Sequence, residues 1–206
     1  MAVLTISRMF GAGGKTMGEM ITQRLGYRFF DNELIQMVAK QAKVSTDWVE
    51  AMEKEAGGKF QKLVSTLVPK NLIEKILSTE QGYLDEEIYT DILNHVINKI
   101  ADGGDAVILG RGSQYILKDR PDTYHILLVA DLDYRIQFIM DKYELTQKQA
   151  VMAVALEDKR RLNLYRKFGK VDYNQTDHYH VVFNMRQIAI EKACDMICTL
   201  LGSCRF

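Results

Sequence analysis

The sequence has few cysteines, few prolines and no excess of either charge. Its 206 residues include three cysteines and two prolines, and 27 lysines and arginines balance 27 aspartates and glutamates. Three cysteines do not form the paired framework of a disulfide-stabilised secreted domain. The spacing of Cys194 and Cys198 predicts a buried helix face rather than a metal site. The neutral balance argues against a nucleic-acid or anionic-membrane partner, since both usually require a basic excess.

Long apolar runs are also missing, although apolar residues are plentiful. Hydrophobic residues make up 47% of the chain and charged residues 26%, which is enough to bury a sizeable core. No run approaches the roughly 20 apolar residues of a membrane span. Residues 1–8 do not have the pattern of a secretory signal. We therefore expect one cytoplasmic domain, and composition leaves its oligomeric state open.

A glycine-rich turn near the N-terminus separates a strand pattern from a helix pattern. Residues 2–7 form an apolar run rich in β-branched side chains, and residues 17–25 repeat with helical spacing. The turn between them reads Gly11-Ala12-Gly13-Gly14-Lys15-Thr16. In such a turn, backbone amides converge on a phosphate, a lysine reaches its outer oxygens and a threonine hydroxyl ligates Mg²⁺. An ordinary strand-to-helix turn is the alternative.

Strand-like and helix-like segments alternate along the rest of the chain. Further strands are predicted at 27–30, 106–109, 123–130 and 178–183, and the last helix at about 186–201. This alternation predicts an α/β fold with a five-stranded parallel sheet. Ligands of such sheets bind beyond the carboxyl ends of the strands. The glycine turn, the Gly110–Ser113 segment and Asp31 all follow predicted strands.

Basic residues concentrate between positions 159 and 170, where no acidic residue occurs; they are Lys159, Arg160, Arg161, Arg166, Lys167 and Lys170. A solvated helix face would explain such a run. A cationic lid over polyphosphate would explain it too, and the glycine turn favours the lid. Arg111 is either a phosphate-binding fork or an exposed turn residue, and Asp31 is either a helix cap or a substrate contact.

Five segments, in order, resemble the cytidylate kinase-like family of P-loop nucleoside monophosphate kinases. They are Ile6–Lys15, Leu25–Ile35, Leu109–Gly112, Asp158–Arg161 with Tyr165, and Tyr179–Asn184. The resemblance covers nearly the whole chain. It implies a three-layer P-loop NTPase fold with a core at 1–31 and 105–206. It also implies a helical acceptor-side insert at about 32–104 and a lid at about 157–177.

The resemblance implies transfer of a phosphoryl group from ATP, with Mg²⁺, to a small-molecule nucleotide, first of all CMP or dCMP. The donor would be bound by Arg8, Gly11, Ala12, Gly13, Gly14, Lys15 and Thr16. Thr16 would ligate the metal, and Asp31 and Arg111 would bind the acceptor. The catalytic residues would be Lys15, Arg111, Arg161 and Arg166.

The chain departs from the family's pattern at two places. The phosphate-loop pattern has a glycine, four residues, and then Gly-Lys-Ser/Thr. Alignment by distance to Leu25 puts Arg8 at the first glycine and Gly14 at the lysine, whereas alignment on the Gly-Lys pair keeps Lys15 as that lysine. Gly112 stands where characterised cytidylate kinases have a cytosine-recognising aspartate. A P-loop kinase of another small molecule, or a nucleotide-binding module without turnover, therefore stays open.

Overall fold

The computed structural model describes residues 2–31, 86–167 and 174–202. Most of the predicted helical insert at about 32–104 lies outside these residues. The chain divides into two compact units, Met1–Asp31 with Gly104–Phe206 and Asn32–Gly103. Within the described ranges, no helix is long and apolar enough to cross a bilayer.

The first unit is built on one five-stranded parallel sheet, as predicted. Its strands are β1 (Val3–Arg8), β2 (Arg28–Phe30), β3 (Ala106–Leu109), β4 (Thr123–Val129) and β5 (Val181–Asn184), in the order β2-β3-β1-β4-β5. The central strand β1 is buried from its first residue to Ser7. Such a strand needs apolar and β-branched residues on both faces, which explains its continuous apolar run.

Helices connect these strands and cover the sheet. The first unit contains α1 (Gly14–Leu25), α3 (Ser113–Ile116), α4 (Leu132–Tyr143), α5 (Gln147–Lys167) and α6 (Ile190–Leu200). The second unit contributes α2 (Glu86–Asp102) to the described residues. Asp131 caps α4 by accepting a hydrogen bond from the Tyr134 amide at 3.0 Å. Thr146 and Gln149 form a capping box before α5.

The main core joins α1 and α6 to the sheet. Met17 and Ile21 of α1 and Ile197 of α6 are fully buried in it. Cys194 and Cys198 are buried free cysteines on the same face of α6, which confirms the predicted apolar helix face. Burial raises the pKa of the Cys194 thiol to about 12, so that this side chain packs as a neutral apolar group.

Two predicted boundaries near the C-terminus are wrong. The predicted strand at 178–183 begins only at Val181, because residues 176–178 form a 3₁₀ turn. The predicted helix at 186 begins at Ile190. Asn184 explains the delay, since its side-chain oxygen accepts the Arg186 amide at 3.1 Å and its carbonyl accepts the Ile188 amide at 3.1 Å. These bonds make a turn that competes with helix formation.

His125 gives this sheet a pH-dependent stability. The side chain is only 4% exposed, its Nδ1 lies 2.7 Å from Thr5 Oγ1, and burial with nearby His180 lowers its pKa from 6.5 to about 4. Between these pH values the unfolded chain binds a proton that folded His125 does not bind. Stability should therefore fall by about 3 kcal/mol as the pH drops from 6.5 to 4.

Urea unfolding of the wild type and of His125→Gln at several pH values measures this contribution. We expect the variant to lose less stability than the wild type across the same window, because its amide does not titrate. Parallel pH curves for the two proteins would contradict the assignment.

Candidate active site

The turn between β1 and α1 has the geometry of an anion-binding loop. Gly11 and Gly13 adopt left-handed φ angles of 86° and 81°, and the Ala12 amide bonds to the Met9 carbonyl at 3.1 Å. Gly13 is the N-cap of α1 and no side chain caps the helix. The amides of the first helical turn therefore point to the carboxyl edge of the sheet, where the helix dipole adds partial positive charge.

Arg135 of α4 packs against this loop and forms a hydrogen bond with it. Its Nη1 atom donates to the Phe10 carbonyl at 3.2 Å and to Asp158 Oδ2 of α5 at 2.8 Å. A Cβ atom on Gly11 would lie 2.7 Å from the Arg135 carbonyl oxygen, so only glycine fits here. The guanidinium of Arg135 thus connects the loop and α4 to α5. Arg135 is a buried residue, with 8% of its surface exposed.

Three predicted arginines come together at the end of β1. Burial lowers the pKa of Arg8 to about 10; the nearby Tyr165 and the Glu157 carboxylate oppose this shift, and the Arg161 and Arg111 guanidiniums add to it. Because these three guanidiniums outnumber the Glu157 carboxylate, the cluster should attract an anion with several charges. The structure thus brings together residues from β1, from the turn after β3 and from α5.

Arg111 is held in an unusual backbone conformation. It has a φ of 58° and lies between Gly110 at 73° and Gly112 at 71°. A left-handed conformation costs a non-glycine residue about 1 kcal/mol or more. Such strain commonly occurs at functional sites. Here it follows directly after β3, where the sheet presents its ligand-binding edge.

Lys15 and Thr16 contact side chains from other elements. Lys15 Nζ lies 3.8 Å from Asp31 Oδ2, and the Lys142 ammonium donates to Thr16 Oγ1 at 2.6 Å. Because the Lys142 ammonium lies on this oxygen, ligation of Mg²⁺ by Thr16 requires Lys142 to move, and the role of Thr16 as a metal ligand stays a prediction. Within the described ranges, no group of three His, Cys, Asp or Glu side chains could hold a metal.

Comparison with known proteins identifies the family. Residues 3–187 match the sequence model of the cytidylate kinase-like family. The chain belongs to the cytidylate kinase-like family. This agrees with the resemblance carried by its five sequence segments, and it supports a nucleotide-binding phosphotransferase.

Solved structures show that this family member has the P-loop kinase fold. An uncharacterized protein from Eubacterium ventriosum superposes with a TM-score of 0.66 at 18% identity, over 99% of this chain and 100% of that one. A gluconokinase from Sinorhizobium meliloti superposes with a TM-score of 0.50 at 11% identity, over 98% and 94% of the two chains. At these identities the likeness concerns the fold alone.

One curated protein matches part of the chain. A uronate isomerase from Corynebacterium glutamicum is 28% identical over 102 residues, which make up 50% of this cytidylate kinase-like chain. The match spans 19% of the isomerase, so it says nothing about isomerase activity here.

The predicted lid, at about 157–177, lies partly in the regular helix α5. Residues 157–167 continue α5, and residues 168–173 lie outside the described part. Arg161 lies on α5 with the Arg8 cluster, and Arg166 lies in the helix's last turn, with its side chain outside the described part. Lid closure stays a prediction.

An aromatic cluster of this cytidylate kinase-like chain lies beside the arginines and was not predicted as part of the site. Tyr165 is 1% exposed, and its ring packs edge to face on that of Tyr115, with 5.6 Å between the ring centroids. The centroids of the Tyr115 and His178 rings are 5.2 Å apart. Gln114 Nε2 donates to the Tyr179 hydroxyl at 3.1 Å, and burial beside Tyr165 raises the pKa of Tyr179 above its usual range. These buried rings give Arg8 and Arg161 a surrounding of low polarity, which strengthens their attraction for an anion.

Proposed function

We propose that this protein transfers the γ-phosphoryl group of ATP to a nucleoside monophosphate, first of all CMP or dCMP. The observation that carries the proposal is the cluster of Arg8, Arg111 and Arg161 beside the uncapped N-terminus of α1. Loop amides and a helix N-terminus suit the donor phosphates. Guanidinium forks suit the remaining phosphate oxygens, because each fork can donate two parallel hydrogen bonds.

The donor would bind through backbone more than through side chains. The amides of Gly13, Gly14 and Lys15 would hold the β- and γ-phosphates of ATP, which would arrive as its magnesium complex. This chain's own residues then orient the γ-phosphoryl group towards the carboxyl ends of β1 and β3. Close packing of Gly11 on Arg135 keeps the loop in one conformation before ATP binds, which lowers the entropy lost on binding.

The acceptor phosphate would bind at Arg111, and Arg161 with Arg166 would bridge the two substrates. In phosphoryl transfer, charge spreads over the equatorial oxygens of the moving group, and catalysis consists mostly of positioning and charge stabilisation. Arginines at this point meet both requirements without a side-chain base. The Lys15–Asp31 pair lies at the adjacent end of β2, where Asp31 would contact the acceptor.

Gly112 favours a second candidate, a P-loop kinase of another small molecule. Because glycine has no side chain, the position after Arg111 lacks the carboxylate that would accept a hydrogen bond from the cytosine amino group. Loss of one such polar contact removes about 1–3 kcal/mol of discrimination. A nucleotide acceptor would then be bound mainly through its phosphate.

Incubation of the wild-type protein with γ-labelled ATP, Mg²⁺ and CMP, dCMP, UMP or AMP tests both candidates. We expect the label in a nucleoside diphosphate, with kcat/KM for CMP within about tenfold of that for UMP. A much stronger CMP preference would contradict the role given to Gly112. ATP binding without transfer to any nucleotide would contradict a monophosphate acceptor; it would fit the second candidate and equally a nucleotide-binding module without turnover. Hydrolysis without acceptor serves as the background.

A further inference from the structure

The start of α1 favours one of the two alignments with the phosphate-loop pattern. That pattern places a lysine directly after its last glycine, where the helix opens. Here the N-cap is Gly13 and the first helical residue is Gly14. In this alignment Gly14 occupies the lysine position, and Arg8, six residues earlier, occupies the position of the first glycine.

These two exchanged positions are in contact. A Cβ atom built on Gly14 would lie 2.8 Å from Arg8 Cγ, 3.1 Å from its Cβ and 3.2 Å from its Cδ. All three atoms belong to the stem of the arginine and not to its flexible end, so a Cβ atom at position 14 requires the whole Arg8 side chain or the loop to shift. A side chain at position 14 and the present arginine stem at position 8 therefore exclude each other.

The backbone does not itself require glycine at position 14. Gly14 lies in α1 and, unlike Gly11 and Gly13, it has no left-handed φ. The space needed by the Arg8 stem gives this glycine its physical reason.

We propose that Arg8 supplies from the end of β1 the phosphate-binding cation that an ordinary phosphate loop supplies from the first residue of its helix. This inference rests on the proposed function, because it assigns the cation to the ATP phosphates. Compared with the phosphate-loop pattern, the cation lies at the end of β1 and not at the start of the helix, and a glycine lies at the start of the helix in its place.

The surroundings of Arg8 fit this role better than those of Lys15 do. Arg8 lies with Arg111 and Arg161 in the arginine cluster, whereas the Lys15 ammonium is drawn towards the Asp31 carboxylate, 3.8 Å away. With a pKa of about 10, Arg8 keeps its proton at neutral pH. Its planar fork can bind oxygens of two neighbouring phosphates, which a lysine ammonium binds as a point charge.

A reciprocal exchange tests the inference through ATP binding, measured by calorimetry. Arg8→Met removes the charge and keeps most of the stem, and we expect it to raise the Kd for ATP at least about tenfold. Arg8→Gly should weaken binding as much. Adding Gly14→Lys to Arg8→Gly should restore at least about fivefold of the loss, because the lysine then enters the space that the stem leaves. Gly14→Lys alone should lower the melting temperature.

The outcomes separate this inference from the proposed function. A wild type that binds no ATP would overturn both. A wild type that binds ATP, with Arg8→Met binding equally well, would overturn only the inference, and so would a double variant that binds no better than Arg8→Gly. Should Arg8→Met fail to fold, the comparison of Arg8→Gly with the double variant still decides, since both have the same change at position 8.

Discussion

Gly11→Ala is expected to abolish measurable ATP binding and to lower the free energy of unfolding by about 2–4 kcal/mol. Two costs combine at this position. The φ angle of 86° is left-handed, and the new methyl group would lie 2.7 Å from the carbonyl oxygen of Arg135. Because that neighbour is backbone, relief requires the loop to move away from α4. Urea unfolding and calorimetric titration with ATP measure the two effects.

Gly26→Ala is the matched control for this variant. Gly26 has a φ of 70°, and a Cβ atom there would meet nothing within 4 Å. We expect a loss of about 1–2 kcal/mol of stability from the left-handed backbone alone, with ATP binding unchanged. Equal ATP affinities for Gly11→Ala and wild type would contradict a donor site in the loop.

Arg161→Met is expected to lower kcat by about 10²–10³ while the KM for ATP changes only a few-fold. The reason is that negative charge builds up on the equatorial oxygens as the phosphoryl group moves, and Arg161 would meet this charge from α5. An interaction that forms mainly in the transition state affects kcat more than substrate binding. Steady-state kinetics with the best acceptor of the nucleotide panel provide the measurement.

Lys159→Met is the matched control, because it also removes one positive charge from α5, two residues before Arg161. Lys159 is exposed, whereas Arg161 is partly buried with the Arg8 cluster. We expect the Lys159 variant to keep kcat within about twofold of the wild type, because exposed charges are screened by water and salt. Equal losses in both variants would assign the effect to net charge, and an unchanged kcat in Arg161→Met would contradict its catalytic role.

The sheet was predictable because its strands are signalled locally. Residues 106–109 and residues 126–129 of the next strand are apolar runs, and parallel strands buried on both faces need such runs. The cap at Asp131 and the capping box at Thr146 were predictable for the same reason, since each depends on residues within one turn. Family membership was predictable from motifs spread over the whole chain.

Features that depend on tertiary contacts were not predictable. Nothing in the sequence around Arg135 distinguishes it from a surface arginine of an ordinary helix, and its role appears only when α4 packs under the loop. The last helix begins later than predicted because the carbonyl and side chain of Asn184 form a turn. The ammonium of Lys142 on Thr16 joins two residues 126 positions apart in the sequence.

The phosphate loop was predictable in part. Its glycines and its place between strand and helix were evident in the sequence, which nevertheless left two alignments of the lysine position open. The starting residue of α1 and the contact between Gly14 and the Arg8 stem distinguish these alignments. Neither observation could be obtained from spacing, because a shift of one residue changes the pattern match without changing the helix periodicity.

Donor binding at the turn between β1 and α1 is tested most directly by following backbone amide resonances while ATP and Mg²⁺ are added to the wild-type protein. We predict that the largest shifts occur at the amides of Gly13, Gly14 and Lys15, and that adenosine, which has no phosphate, leaves them in place. Saturable ATP binding that shifts amides elsewhere and leaves these three unchanged would contradict the site.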